Sequence, residues 1–369
     1  MRILFVSSTT VGGSGRSQRE LATHLVERGH EVLFVADDGR RARLTRWLYG
    51  HISDLAVRWG RRRGRSLLAL IERVPGRRAR TSSIERLPHI VSPTPENAFR
   101  RVIEFWPPDV VVGNSLVRLT WRRVRDTCAS RGIPTILYVR EVSTCGHVAA
   151  MPDPADAIVA NATSLADAVR ALGHTCALIP SVVDTSVTSV ESTRSVALLV
   201  NPIESHGIGL LWKLADRMPE VSFEVRESWP LSDEAVLDIE RHARKRANVD
   251  FRRRSAPGPE VYGRARLLLV PHLIDNRPRV VIEAQSNAIP VLASDQPGLA
   301  EAVGDGGLIL PPDDADSWAK AIRSLWPGGA EYDELSRAAQ QHSRREDLQP
   351  STAVAAFEAV LRRVASDEF

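Results

Sequence analysis

The sequence predicts an α/β protein made of two doubly wound halves. Three observations carry this. A strand, a glycine-rich loop, a helix and a second strand open the chain. The same order restarts at residue 196. The length of 369 residues exceeds one ordinary core and suits two.

Residues 2–8, RILFVSS, form a continuous apolar run of the kind buried on both faces of a parallel sheet. TTVGGSG follows, and RSQRELATHLVERG then carries apolar residues at helical spacing. Gly29 stops that helix and EVLFVAD is the next strand, which completes a βαβ unit. PPDVVVGNS (107–115), IPTILYVRE (133–141) and DAIVANATS (156–164) read as further strands ending in polar residues. In parallel sheets such carboxyl ends carry ligands. The Ser/Thr-rich stretch 179–195 marks the join. Beyond it come the strand VALLV, the loop NPIESHG, the helix IGLLWKLADRM and the strand VSFEVRE. ARLLLVP, IPVLASD and GGLILPP are later strands, and 351–365 is a closing helix. The expected division is 1–183, 184–350, and a terminal segment 351–369.

At 43% hydrophobic and 25% charged, the chain has the composition of a water-soluble globular protein. No apolar run reaches the roughly 18 residues of a spanning helix, and the N-terminus shows no secretory h-region or cleavage site. Cys128, Cys145 and Cys176 form neither a CxxC pair nor an even framework, which fits a reduced, cytoplasmic protein without a cysteine metal site. Charge is uneven. Residues 40–80 hold thirteen Arg against Asp54 and Glu72, a net +11, while the whole chain is +4, so the remainder sums to −7. The chain has only three Lys, so a phosphate would be met by Arg, His or backbone amides.

Two stretches invite a ligand. VGGSG (11–15) opens the first βα turn, where glycines let backbone amides approach an anion at the positive end of a helix. The same glycines also suit a tight turn chosen for its φ angles. In DNRPRVVIEAQ (275–285), Pro278 suits a first helical turn and Asp275 or Asn276 can cap it. Arg279 and Glu283 are then i and i+4. One reading is a capped helix with a surface ion pair. The other is a ligand site, in which amides and Arg279 meet phosphate while Asp275 and Glu283 accept hydrogen bonds from sugar hydroxyls.

The following residues favour the second reading. Glu283-Ala284, Ile289-Pro290-Val291, Ala293-Ser294-Asp295, Gly298-Leu299, Glu301 and Gly306-Gly307 stand in the order of the C-terminal signature of family 4 retaining nucleotide-sugar glycosyltransferases, which have the GT-B fold. VGGSGRSQRELATHLVERGHEVLFVA resembles that family's N-terminal loop, helix and second strand. Two further segments resemble its pre-linker region and its second βα unit. Residues 38–90 fall outside the likeness. The resemblance implies two Rossmann-like domains facing a cleft, an N-terminal acceptor domain and a C-terminal donor domain. It also implies a terminal helix crossing back to the first domain.

The implied reaction is transfer of a sugar, with retention, from a nucleotide-diphosphate sugar to a small-molecule or envelope acceptor. UDP- or GDP-linked donors are implied, and no metal or other cofactor. By resemblance, Glu283 binds ribose and Asp275 the donor sugar. Arg277 stands where backbone amides meet sugar or phosphate, Arg279 matches a subgroup arginine, and Gly12 and Gly13 lie near the phosphates. The family's Lys on the diphosphate falls on His206, and its Arg falls near Asn201, where no cation stands. His206 would serve when protonated, with Arg277, Arg279 or an arginine of RRRS (252–255) compensating. Arg140 and Glu141 occupy the place of a His–acid pair and are catalytic candidates, with an Arg–Glu surface pair as the plain alternative. Ser14, Asn114 and Ser115 are acceptor-side candidates. The departures at His206 and Pro278 equally suit a silent homologue that binds or activates a partner.

The arginine-rich stretch puts Leu44, Trp47, Leu48, Ile52, Leu55 and Trp59 on one helical stripe. It reads either as a helix lying on an anionic membrane face or as an inserted helix packed on its own domain. Its aromatics are not interleaved as stacking platforms and the rest of the chain is acidic, so nucleic acid is not expected as a partner.

Overall fold

A computed structural model describes residues 1–7, 10–37, 79–114, 118–254 and 258–366. The arginine-rich helix expected within 40–80 therefore lies almost wholly outside the described residues, as does Ser115.

Fourteen strands are assigned among these residues. The first eight are β1 (Arg2–Ser7), β2 (Glu31–Asp37), β3 (Arg80–Ile84), β4 (Leu87–Ser92), β5 (Val110–Asn114), β6 (Thr135–Val139), β7 (Ala157–Ala160) and β8 (Ala177–Leu178). They form one sheet of order β3-β4-β2-β1-β5-β6-β7-β8. β4, β2, β1, β5 and β6 run parallel, and β3 is antiparallel to β4. The second sheet joins β9 (Val196–Val200), β10 (Phe223–Arg226), β11 (Val249–Arg252), β12 (Ala265–Val270), β13 (Val291–Ser294) and β14 (Gly307–Leu310). It is parallel throughout, in the order β11-β10-β9-β12-β13-β14.

The helices in chain order are α1 (Gly12–Glu27), α2 (Pro95–Phe105), α3 (Arg118–Ala129), α4 (Val142–Ala149), α5 (Thr163–Ala171) and α6 (Ile208–Arg217). They continue with α7 (Asp233–Arg244), α8 (Arg279–Ser286), α9 (Pro297–Val303), α10 (Ala315–Leu325), α11 (Ala330–Ser343) and α12 (Pro350–Ala365). The chain divides into two compact units, Met1–Val159 with Ala168–Ala177 and Ala356–Phe369, and Ala160–Asp167 with Leu178–Ala355.

The apolar runs read from sequence become the central strands. Ile3 to Val6 are fully buried, as are Ala197 and Leu198 of β9 and Leu267 and Leu268 of β12, because a parallel sheet is covered on both faces. In the second unit one face of that sheet packs against Leu211, Leu214, Trp318 and Ile322 of α6 and α10. The other packs against Val281, Ala284, Leu299 and Val303 of α8 and α9. In the first unit Phe357 of α12 stacks on Tyr138 at 5.8 Å, and Glu358 accepts from Arg28 Nη1 (3.1 Å) and meets His30 Nε2 (3.0 Å).

Two features differ from the sequence expectation. The β3–β4 hairpin was not expected. Its two-residue turn, Glu85-Arg86, takes φ values of 51° and 66° without the Asn-Gly that marks such turns. The glycine stretch is also less of a loop than expected, since α1 already begins at Gly12, which itself holds φ 82°.

Candidate functional site

β9 and β12 are neighbours, so their carboxyl ends and the loops that follow lie side by side. These loops are locked together. Gly207 takes φ 74°, and a Cβ there would stand 2.0 Å from the Pro271 carbonyl oxygen, so only glycine fits the turn into α6. The Leu273 N–H donates to the Ser205 carbonyl at 2.9 Å. The rings of His206 and His272 stack with centroids 4.0 Å apart, and the Trp229 ring meets His206 edge-on at 5.5 Å. Asn201, at φ 62°, ties in the loop after β10. Its Oδ1 accepts from the N–H of Ser228 (2.9 Å) and of Trp229 (3.3 Å).

This packing sets the charge of the site. His206 is 8% exposed, not a solvated loop residue. Its Nδ1 lies 3.1 Å from the Asn201 carbonyl, so Nδ1 carries the hydrogen and Nε2 the lone pair. Burial holds its pKa below the ordinary histidine value, and burial together with the neighbouring His206 pushes His272 down to about 3. Both imidazoles are neutral at neutral pH. His206 thus becomes a cation only when an anion arrives to favour the proton.

α8 follows this pair by a few residues. Arg279 Nε donates to Glu283 Oε1 at 2.7 Å and the Tyr262 hydroxyl donates to Oε2 at 2.6 Å. Arg279 and Glu283 are 9% and 4% exposed, so the pair is buried, and the surface ion pair weighed from sequence is corrected. The carboxylate keeps acceptor capacity beyond these two bonds. Tyr262→Phe removes one donor from a buried carboxylate and is expected to lower unfolding stability by about 1–3 kcal/mol in urea titration. A change under a few tenths would show that the bond contributes nothing.

The expected capping is also corrected. Pro278 is the N-cap residue of α8, preceding rather than occupying its first turn, and no side chain caps it. Asp275 instead accepts from the Gly298 N–H (Oδ1, 2.7 Å) and the Ser164 hydroxyl (Oδ2, 2.9 Å). A Cβ on Gly298 would press on that same Oδ1 at 2.8 Å, so glycine permits the approach. Arg277 is 9% exposed in its side chain; it donates to the Asn161 carbonyl at 3.0 Å and pairs with Glu301 at 3.1 Å. Of the RRRS arginines, Arg252 pairs with Asp250 and Glu224, and Arg253 with Glu227. Arg254 is exposed; its N–H donates to Glu227 Oε2 at 3.1 Å, and its guanidinium has no acid partner among the described residues.

In the first unit Ser14 and Asn114 come together, with Asn114 Nδ2 donating to Ser14 Oγ at 3.0 Å. Asn114 is fully buried and so positions Ser14 and the start of α1. Gly12 and Gly13 are half-buried beside them, and Arg19 steadies this corner by donating to the Thr10 carbonyl at 2.8 Å. Arg140 is buried with its guanidinium 4.0 Å over the Tyr138 ring, whereas Glu141 is exposed at the N-cap of α4. They are not the surface pair of the plain reading.

Sequence reasoning missed His272, Trp229 and Tyr262. His272 had a usable signal, a titratable residue directly after a buried strand. Tyr262 had none, because its partner Glu283 is brought to it only by the fold.

Residues 231–327 match the family described as Glycosyl transferases group 1. A D-inositol 3-phosphate glycosyltransferase of Rhodococcus erythropolis is 32% identical over 114 residues, 30% of this chain and 26% of that protein. The chain thus aligns with about a quarter of that relative's length. Among solved structures, sucrose-phosphate synthase from Thermosynechococcus elongatus superposes with TM-score 0.76 over 100% of both chains at 13% identity. Anabaena HepE in complex with UDP and glucose superposes with TM-score 0.73 over 98% of this chain and 99% of that one, at 14% identity. At such identities the likeness is one of fold. The chain has the GT-B fold, and its residues 231–327 are similar to the group 1 glycosyltransferases.

Proposed function

We propose that the protein transfers a glycosyl group from a nucleotide-diphosphate sugar, UDP- or GDP-linked, to a hydroxyl of a small-molecule or lipid-linked acceptor, with retention. The observation that carries this reading is the buried Tyr262–Glu283–Arg279 system together with the interlocked His206 and His272 loops. Those two loops lie at the carboxyl ends of parallel strands, where this architecture takes ligands. Glu283 is suited to accept from ribose hydroxyls. The amino end of α6, which has no side-chain cap, offers N–H groups and a positive dipole to phosphate. His206, at the same turn, takes up a proton as the diphosphate arrives, and Arg254 is the arginine left for charge that develops on the leaving group. Arg277 and Arg279 are already neutralised by acids.

Thermal unfolding with UDP, GDP, ADP and TDP tests the reading. At one hundred times Kd a nucleotide adds about 2.7 kcal/mol, a rise in Tm of several degrees. No shift with any of the four would sink it. A second reading, a silent homologue that binds nucleotide without transfer, is favoured by Pro278, which has no N–H to offer where the family supplies an amide. Nucleotide binding without hydrolysis or transfer from any sugar nucleotide would select it.

A further inference from the structure

Two buried side-chain amides at the carboxyl end of β5 are left incomplete. Asn114 is 0% exposed and Gln18 1% exposed. Asn114 Nδ2 donates to Ser14 Oγ at 3.0 Å and to Gln18 Oε1 at 3.4 Å. The other half of each amide, Asn114 Oδ1 and Gln18 Nε2, has no hydrogen-bond partner among the described residues. Buried polar groups of folded proteins are nearly always paired, and an unpaired one is costly. The gap also falls at a defined place in the sheet. β1 has β2 on one side and β5 on the other, so the chain reverses its winding at β1. The end of β1, where Ser7 pairs with Asn114, is therefore the switch point of the first sheet, where α/β folds take ligands. Gly12, Gly13 and Ser14, which open α1 beside it, are only half-buried.

We infer that Asn114 and Gln18 hold a hydroxyl of the acceptor, and that the acceptor is a neutral polyol or sugar. Asn114 Oδ1 lacks a donor and Gln18 Nε2 lacks an acceptor, so the missing group supplies both. A hydroxyl does so. A carboxylate or sulfate brings only lone pairs, which Asn114 Oδ1 repels, and an ammonium has no lone pair for Gln18. Side-chain amides do not titrate, so they hold a hydroxyl without activating it. The hydroxyl bound here is then distinct from the one that is glycosylated, and the acceptor carries both. An ordered water meets the same donor and acceptor requirement, and the experiment separates the two sources. The inference rests on the glycosyl-transfer reading above and narrows its acceptor class, with Gln18 as a contact that sequence reasoning missed.

The test is the proton–nitrogen spectrum of the side-chain amides of the full chain, titrated with glycerol, glucose and mannitol, and with sulfate as the comparison that only accepts. The Gln18 Nε2 pair, identified by its absence in Gln18→Met, and the Asn114 Nδ2 pair are both expected to move with a polyol and to stay in place with sulfate. Gln18→Met keeps the length of the side chain and removes an unpaired donor, so it should melt no lower than the parent. Its affinity for the polyol should fall roughly tenfold, the weight of one hydrogen bond. If no polyol moves either amide, the gap holds water alone and the inference is overturned. An equal response to sulfate, or a polyol affinity unchanged in Gln18→Met, overturns it as well. None of these results touches the thermal shift by nucleotides, which reads the second unit. Absence of that shift would overturn the transfer reading separately.

Discussion

Glu283→Ala is expected to lower the unfolding free energy by about 3–5 kcal/mol and to abolish nucleotide binding. The substitution leaves the Arg279 guanidinium, 9% exposed, without the carboxylate 2.7 Å away, and it strips Tyr262 of its acceptor. The cost comes from taking the paired acid away from a buried guanidinium, so removing both members of the pair should behave differently. Arg279→Leu/Glu283→Leu exchanges the ion pair for apolar groups and is expected to unfold within about 1–2 kcal/mol of the parent. It should still bind no nucleotide, which separates the structural role of the pair from its role toward ribose. Urea titration and thermal shift read the two effects. A Glu283→Ala variant as stable as the parent would remove the buried-pair account, and one that still binds nucleotide would remove Glu283 from the site.

Acid is expected to weaken the second unit steeply, through His272. The folded protein holds this group at about 3, and the unfolded chain returns it to the ordinary 6.5. Between those values the unfolded state binds the extra proton, so stability falls as pH falls. The contribution is complete above 6.5 and is lost toward 3, at roughly 1.4 kcal/mol per pH unit. His206, lowered by the same burial, acts in the same direction. His89 and His342 are lowered too, so a variant is needed to isolate the effect. Urea unfolding of the parent and of His272→Asn at several pH values between neutrality and about 4.5 should give a shallower slope for the variant, with the difference closing above pH 7. Equal slopes would defeat the argument. The same stack links nucleotide binding to protons. If His206 is charged only in the complex, affinity for a diphosphate rises as pH falls, while the fold itself weakens.

What the sequence made legible was local. β1, β9 and β12 are apolar runs in which nearly every side chain is buried, so periodicity alone finds them. Arg279 and Glu283 lie four residues apart in a helix, so their pairing follows from spacing. That Asp275 does not cap α8 could not be read locally, because its partners, Gly298 and Ser164, are 23 and 111 residues away. No local rule reaches that far. The burial of His206 is out of reach for the same reason, since its ring packs on His272 and Trp229, carried by loops after two other strands. The β3–β4 hairpin escaped because Glu85 and Arg86 accept left-handed φ without the residues that usually announce it.

The division of the chain has a bearing on synthesis. The unit that a ribosome begins first includes residues 356–366, so it is finished only after the whole of 178–355 has been made. Until then Tyr138 lacks the ring of Phe357, and Arg28 and His30 lack the Glu358 carboxylate. The second unit needs only the short segment 160–167 from upstream, already translated, and can close as soon as its own strands emerge. The order in which the two units are completed is thus the reverse of the order in which they are encoded, and a nascent chain waits longest with its amino-terminal unit lacking the end of α12.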